Sequence, residues 1–132
     1  MTKRKQIEFQ ARKELINHDW DVSKTDSVEF NGGSETTSHF IGKALAAQVL
    51  REHGYRVSSE VKHPLRGEID VLAYGEDIIA VEIETDPKPD VIKDKIKRYV
   101  EGTPIRDIFV IEPPTNTTRI AKAKEDIENR LF

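Results

Sequence analysis

The residues of this chain with the clearest potential for chemistry are three acids within two apolar segments. Asp70 interrupts the segment 68–74, and Glu82 and Glu84 stand two residues apart at the end of the segment 78–84. Because side chains alternate between the two faces of a strand, Glu82 and Glu84 share a face, and Asp70 can meet them across a hairpin. Carboxylates that converge inside a sheet repel each other and require a compensating cation. We therefore expect a divalent metal site.

The residue types available restrict which metal this site can hold. The chain has no cysteine and only four histidines, which excludes thiolate zinc sites, disulfides and thiol catalysis. Oxygen ligands favour Mg²⁺ or Mn²⁺ over Zn²⁺. Glu60, which shares a strand face with Ser58 and Lys62, is a further candidate ligand. An ion held in this way can activate water and neutralise charge on a phosphate oxygen.

A plainer hypothesis is that the acids line the solvated face of a generic α/β protein. Charged residues make up 34% of the chain, and acids in strands often only face water. Two features favour a site: the acids interrupt the most apolar strands, and their spacing suits a hairpin. A generic protein of this kind would show no metal affinity.

Two regions of different character follow one another along the chain. The first 20 residues suggest a helix of modest amphipathicity, and the polar stretch that follows contains Asn31-Gly32-Gly33-Ser34 and is typical of a linker or long loop. We therefore divide the chain into an N-terminal helix and polar linker at 1–36 and a domain at 37–132.

The predicted domain alternates helices and strands. Ser38 is expected to cap a helix that begins at His39 and ends before Gly54. Thr117 or Thr118 is expected to cap the last helix. Between these two helices we predict strands at 56–62, 68–74 and 78–84, a helix at 90–101 and a strand at 107–111. A helix that connects the third and fourth strands implies a parallel crossover, so the sheet is expected to be mixed.

Bulk properties limit the class of protein. The 132 residues suit one typical domain. The basic start is followed by Gln6-Ile7-Glu8 and not by an apolar segment, and no stretch approaches the roughly 18 apolar residues of a membrane span. We therefore expect a cytoplasmic protein that does not enter a membrane. The 21 basic and 24 acidic residues give a charge of −3, so any nucleic-acid binding must depend on a local basic patch.

The acidic segments also resemble a known superfamily. Residues 67–73 (GEIDVLA) followed by 81–84 (VEIE) are similar to the core of the PD-(D/E)XK nucleases. The resemblance implies an α/β, restriction-endonuclease-like αβββαβ core, with a central mixed sheet flanked by helices, from Ser38 to Phe132. It also implies a Mg²⁺-dependent deoxyribonuclease that hydrolyses phosphodiester bonds, with Asp70 and Glu82 as metal ligands.

The chain departs from this superfamily's motif at two positions. Ile69 replaces the proline, and Glu84 stands where the motif has its lysine. Some restriction endonucleases of this superfamily are similar in carrying Glu at this position. The cationic role must then pass to a second metal ion or to another lysine, for which Lys62 and Lys95 are candidates, or the activity has been lost.

The resemblance extends to the following helix and to possible partners. Lys95 and Tyr99 lie one helical turn apart, which resembles the Gln-x-x-x-Tyr motif of RecB-like exonucleases. The small size is similar to that of Holliday-junction resolvases, which implies a homodimer acting on branched, viral or repair DNA. The alternative is a catalytically inactive nucleic-acid-binding or assembly module. Expected contacts to nucleic acid are His39, Lys43, Lys88, Lys93, Lys97, Arg98 and Tyr99.

Overall fold

The chain folds into four helices and four strands. The computed structural model describes residues 2–23, 26, 28, 35–115 and 119–132. The elements are α1 (Lys3–Asn17), α2 (Thr37–Glu52), β1 (Arg56–His63), β2 (Gly67–Tyr74), β3 (Ile78–Ile83), α3 (Pro89–Tyr99), β4 (Asp107–Ile111) and α4 (Ile120–Leu131). Within these ranges no helix is both long and apolar enough to cross a membrane. The predicted α/β class is confirmed.

The strands form one mixed sheet in the order β1-β2-β3-β4. The pairs β1–β2 and β2–β3 are antiparallel, whereas β3 and β4 are parallel. Helix α3 makes the connection between the two parallel strands, as a parallel pair requires. The expected mixed sheet is therefore confirmed, and α2 precedes it in the predicted order.

Helices cover both faces of the sheet. On one face, α2 and α4 pack against Val71, Val81 and Ile83 through Leu50 and Ile127. The opposite face holds a second cluster, which joins α1 and its following segment to the sheet and to α3. Its members are Ala11, Leu15, Trp20, Val22, Val61, Ile69, Leu72, Tyr74, Ile78, Ala80, Tyr99, Ile105 and Ile108.

The N-terminal segment is part of this second cluster. Leu15 and Trp20 are 0% and 2% exposed, and they pack in the same cluster as Leu72 and Tyr74 of β2. The Trp20 ring lies 4.8 Å from the His63 ring, measured between centroids. The N-terminal segment therefore contributes to the same cluster as β1, β2 and α3, across the boundary drawn at residue 36.

Truncating Trp20 tests whether the N-terminal segment stabilises the fold. We expect Trp20→Ala to lower the free energy of unfolding by about 3–5 kcal/mol, because a large side chain is removed from a closed core. Phe9→Ala is the matched control on the same segment, since Phe9 is 54% exposed and its loss should stay within about 0.5 kcal/mol. Urea denaturation measures both values, and equal effects would contradict this packing.

The helix starts differ from the predicted ones in detail. Helix α2 begins two residues earlier than expected, because the Thr36 hydroxyl accepts the N–H of His39 at 3.1 Å and so acts as the N-cap in place of Ser38. Arg119 occupies the N-cap position of α4. The caps predicted at Thr117 or Thr118, and the linker 31–34, lie outside the described residues.

Candidate metal centre

The three acids predicted from the sequence meet where β2 and β3 separate. The regular pairing of these strands ends at Val71 and Val81. Beyond that pair, the N–H of Asp70 donates to Glu82 Oε2 at 2.9 Å, and the N–H of Ile83 donates to Asp70 Oδ2 at 2.8 Å. Each carboxylate is thus fixed by a backbone amide of the neighbouring strand, which holds Asp70 and Glu82 beside each other.

The side chains of β2 do not alternate strictly at this point. Strict alternation would place Asp70 on the same face as Leu72 and Tyr74, yet Ile69 packs in the same cluster as those two residues. The neighbouring strand β1 is distorted as well, since Glu60 has a left-handed φ of 51°. A non-glycine residue in that region costs about 1–3 kcal/mol. Strands β1 and β2 are therefore both irregular at Glu60 and Asp70, the residues that they contribute to the cleft.

The acids line a single cleft of about 540 Å³. Asp70, Glu82 and Glu84 are among its lining residues, as is Glu60, the fourth predicted ligand. The lining includes six carboxylates, contributed by Glu35, Glu60, Glu68, Asp70, Glu82 and Glu84, together with Thr36, His39, Ile83, Thr85 and Lys95. The cleft therefore concentrates negative charge in a protein whose net charge is only −3.

Lys95 brings a positive charge from α3 into this cleft. Its Nζ lies 3.0 Å from Glu82 Oε1 and 2.8 Å from Glu84 Oε1, and its side chain is 13% exposed. Burial alone would lower the pKa of Lys95, but the charges of Glu82 and Glu84 outweigh burial and raise it. Glu84 thus points into the cleft and pairs with a lysine of α3. In the superfamily that the sequence resembles, the lysine itself stands at the position of Glu84.

Two pairs of carboxyl groups in the cleft are held close together. Burial, followed by the charge of Asp70, raises the pKa of Glu82 to about 8 against the opposing effect of Lys95. A hydrogen bond to Glu60, followed by burial, raises the pKa of Glu68 to about 7. Each pair therefore favours a bound positive charge, which is a proton when no metal ion is present.

The raised pKa of Glu82 predicts how stability depends on pH in the absence of metal. The folded state holds this proton more tightly than the unfolded chain, whose Glu pKa is about 4.3. The stabilisation is therefore complete below that value and is lost as pH rises through about 8. In EDTA, we expect Glu82→Gln to flatten the fall in melting temperature between pH 5 and 8. Glu125→Gln on the exposed face of α4 is the control, and parallel curves for all three proteins would contradict the assignment.

A second network joins α2 to the cleft. Lys43 is 0% exposed, and its Nζ lies 3.0 and 2.8 Å from the two carboxylate oxygens of Glu35 and also contacts Glu60. His39 contacts Glu35 through Nδ1, while its Nε2 lies 3.3 Å from Asp70 Oδ2. Burial would lower the pKa of Lys43, but its bonds to the two acids raise it.

Sequence reasoning missed Glu35 as a site residue. Glu35, His39 and Lys43 stand four residues apart, a spacing that places side chains on one face of a helix. This spacing was the available signal, and it was obscured because Glu35 precedes the helix and belongs to the expected linker. Two of the predicted nucleic-acid contacts, His39 and Lys43, have carboxylate partners that line the cleft.

The remaining predicted residues lie around the cleft. Lys62 is exposed on β1 opposite Glu68. Lys88, which pairs with Asp86, and the residues Lys93 and Lys97 are exposed at the start and along the outside of α3.

Arg98 and Tyr99 occupy different environments at the end of α3. Arg98 pairs with Asp94 and lies over the Tyr99 ring, 5.5 Å from its centroid. Tyr99 is 2% exposed, and its hydroxyl donates to the carbonyl oxygen of Glu68 at 3.0 Å. Lys95 Nζ lies 6.0 Å from the same ring. Tyr99 therefore contacts both β2 and Lys95 from within the core. Unlike Arg98, its side chain is not exposed to a nucleic acid.

The donor set fits Mg²⁺ or Mn²⁺ bound in an open site. In the described part of the chain, no three His, Asp or Glu side chains are grouped closely enough to hold a metal ion by themselves. Mg²⁺ is usually held by only one or two carboxylates, with water and substrate phosphates completing the shell. Asp70 and Glu82, already adjacent and fixed by backbone amides, meet that requirement, and Glu84 and Glu60 are further oxygen donors in the same cleft.

Comparisons with other proteins assign no family to the chain. Its sequence matches no protein-family model and no curated protein, and no solved structure matches it significantly.

Proposed function

We propose that this chain is a Mg²⁺- or Mn²⁺-dependent nuclease that hydrolyses DNA phosphodiester bonds on a PD-(D/E)XK-type, restriction-endonuclease-like core. The observation that carries the proposal is the pair of hydrogen bonds that fixes Asp70 and Glu82 where β2 and β3 separate, donated by the N–H groups of Ile83 and Asp70 respectively. This pair places the two acids of the motif side by side in an open cleft. The element order from α2 to α4 supports the same proposal.

Five residues of the cleft have defined roles in this proposal. Asp70 and Glu82 hold the divalent ion, with Glu84 and Glu60 as further ligands. When bound, the ion supplies an activated water and neutralises charge on the phosphate. Lys95 replaces the motif lysine, since its ammonium group already lies within 3.0 Å of both Glu82 and Glu84. From there it can orient the attacking water and stabilise the charge that develops on the phosphate.

The surroundings of the cleft favour DNA as the substrate. Lys88, Lys93 and Lys97 are exposed on or next to α3, the helix that supplies Lys95, and such clusters bind phosphates irrespective of sequence. With Arg98 they form the proposed contact surface. A domain of 132 residues reaches both strands of a duplex most readily as a homodimer. The proposed substrates are branched, viral or repair DNA in the cytoplasm.

A cleavage assay tests this function. Supercoiled plasmid and end-labelled linear and branched DNA are incubated with the protein in Mg²⁺, Mn²⁺ or EDTA. We expect cutting with either metal ion and none in EDTA, and the preferred substrate identifies the class of DNA. Absence of cutting on every substrate would contradict the enzymatic proposal.

A catalytically inactive nucleic-acid-binding or assembly module is the second candidate. The observation that favours it is Glu84 at the motif lysine position, paired with Lys95, because this ion pair offsets part of the negative charge that would attract a metal ion. Such a module would shift labelled DNA in gels equally well with Mg²⁺ or with EDTA, and it would leave that DNA uncut.

A further inference from the structure

Four of the six carboxylates that line the cleft form two groups, each with its own lysine. Glu82 and Glu84 on the β3 side contact Lys95. Glu35 and Glu60, on the side of α2 and β1, contact Lys43. The two groups are joined through His39, which contacts Glu35 with one ring nitrogen and Asp70 with the other.

The two lysines differ in how firmly they are placed. Lys95 is partly exposed at the cleft and can be displaced toward a substrate. Lys43 is 0% exposed, is not among the residues that line the cleft, and approaches Glu35 and Glu60 from the protein side. Its ammonium group contacts both oxygens of Glu35 and one of Glu60. The Lys43 ammonium group is therefore shielded from solvent ions in the folded protein.

Lys43 therefore occupies the position at which Glu35 and Glu60 would otherwise bind a second cation. Three carboxylate oxygens around one point form a favourable environment for a hard divalent ion, and here they surround an ammonium group. A divalent ion placed next to that ammonium would also be repelled by it, and repulsion is strong away from bulk water. On the side of Asp70 and Glu82 the lysine is Lys95, whose side chain is 13% exposed and therefore less enclosed than that of Lys43.

We propose that Lys43 is a built-in counter-ion that limits the cleft to one divalent ion, held on the side of Asp70 and Glu82. This inference rests on the proposed metal-dependent function and specifies it further. Lys43 acts as a positioning residue, since it keeps Glu35 and Glu60 in place without touching the substrate. With one ion per chain, the cationic role left open by Glu84 passes to Lys95 and not to a second metal ion.

Counting bound Mn²⁺ tests this proposal without reference to activity. Titration followed by electron paramagnetic resonance of free Mn²⁺ gives the number of ions per chain. We expect one ion for the natural protein and two for Lys43→Met, in which Glu35 and Glu60 lose their counter-ion. The double variant Lys43→Met with Glu35→Gln is the matched control, and it should return to one ion because an acid of the second group is missing.

The possible results separate this inference from the proposed function. Two ions in the natural protein, or one ion in Lys43→Met, would overturn the role of Lys43 and leave the nuclease proposal standing. No bound ion in any variant would overturn both. If Lys43→Met does not fold, Lys43→Gln keeps two hydrogen-bond donors without the charge, and the same count of two is expected for it.

Discussion

Asp70→Asn is expected to reduce Mg²⁺-dependent DNA cleavage by a factor of about a thousand or more. The metal ion's stabilisation of transition-state charge amounts to several kcal/mol, and each 1.36 kcal/mol corresponds to a factor of ten in rate. The change removes the charge of one of the two proposed metal ligands. Initial rates on the preferred DNA substrate, compared at equal protein concentration, measure the loss.

The fold should survive this substitution. The Asn side-chain oxygen can still accept the N–H of Ile83, which now bonds to Asp70 Oδ2 at 2.8 Å. Removing the Asp70 charge also relieves its repulsion of Glu82, which contributes to the raised pKa of Glu82. In EDTA the melting temperature should therefore equal or exceed that of the natural protein, while the rise produced by Mg²⁺ should be lost.

Asp126→Asn is the control for the chemical change itself. Asp126 lies on α4, is 57% exposed in its side chain and pairs with Lys122, so both cleavage and the Mg²⁺-induced rise should remain. Undiminished cleavage by Asp70→Asn would show that the metal site lies elsewhere. Loss of cleavage together with a lowered melting temperature in EDTA would show that Asp70 is structural.

The part of the site formed by neighbouring strands was predictable from the sequence. Asp70 and Glu82 belong to strands joined by a short turn, so local alternation and hairpin spacing were sufficient to bring them together. The alternation rule nevertheless gave the wrong face for Ile69, which packs with Leu72. Such a local twist depends on the separation of β2 from β3, and no periodic pattern encodes it.

Contacts between residues far apart in the sequence were harder to predict from the sequence. The contact between Lys43 and Glu60 joins a helix to a strand, and a buried lysine has no signature in the sequence because lysine is almost always exposed. Trp20 was similarly assigned to a segment outside the domain, although it is 2% exposed. Its burial depends on a cluster shared with Leu72 and Tyr99, which only the tertiary fold assembles.

Lys95→Met is expected to lower the cleavage rate by about a hundredfold to a thousandfold, the usual effect of removing one group that stabilises transition-state charge. The substitution keeps the length of the side chain and removes its charge. Glu82 then loses a charged partner at 3.0 Å, so the melting temperature in EDTA should also fall. Lys122→Met on α4 is the control, because Lys122 is 61% exposed in its side chain and distant in the sequence from the cleft residues.

Exchanging the two partners of the Lys95–Glu84 pair separates catalysis from stability. The double variant Glu84→Lys with Lys95→Glu creates an acid-x-Lys pattern at positions 82–84 and keeps the total charge unchanged. Because Glu84 Oε1 and Lys95 Nζ lie 2.8 Å apart, the exchanged ammonium group should remain beside Glu82. We expect Lys95→Glu alone to be inactive and the double variant to recover cleavage to within about tenfold of the natural rate, a remaining difference of 1.4 kcal/mol or less. If the double variant regains the melting temperature but no cleavage, the pair serves stability only, and the cationic role belongs to another group.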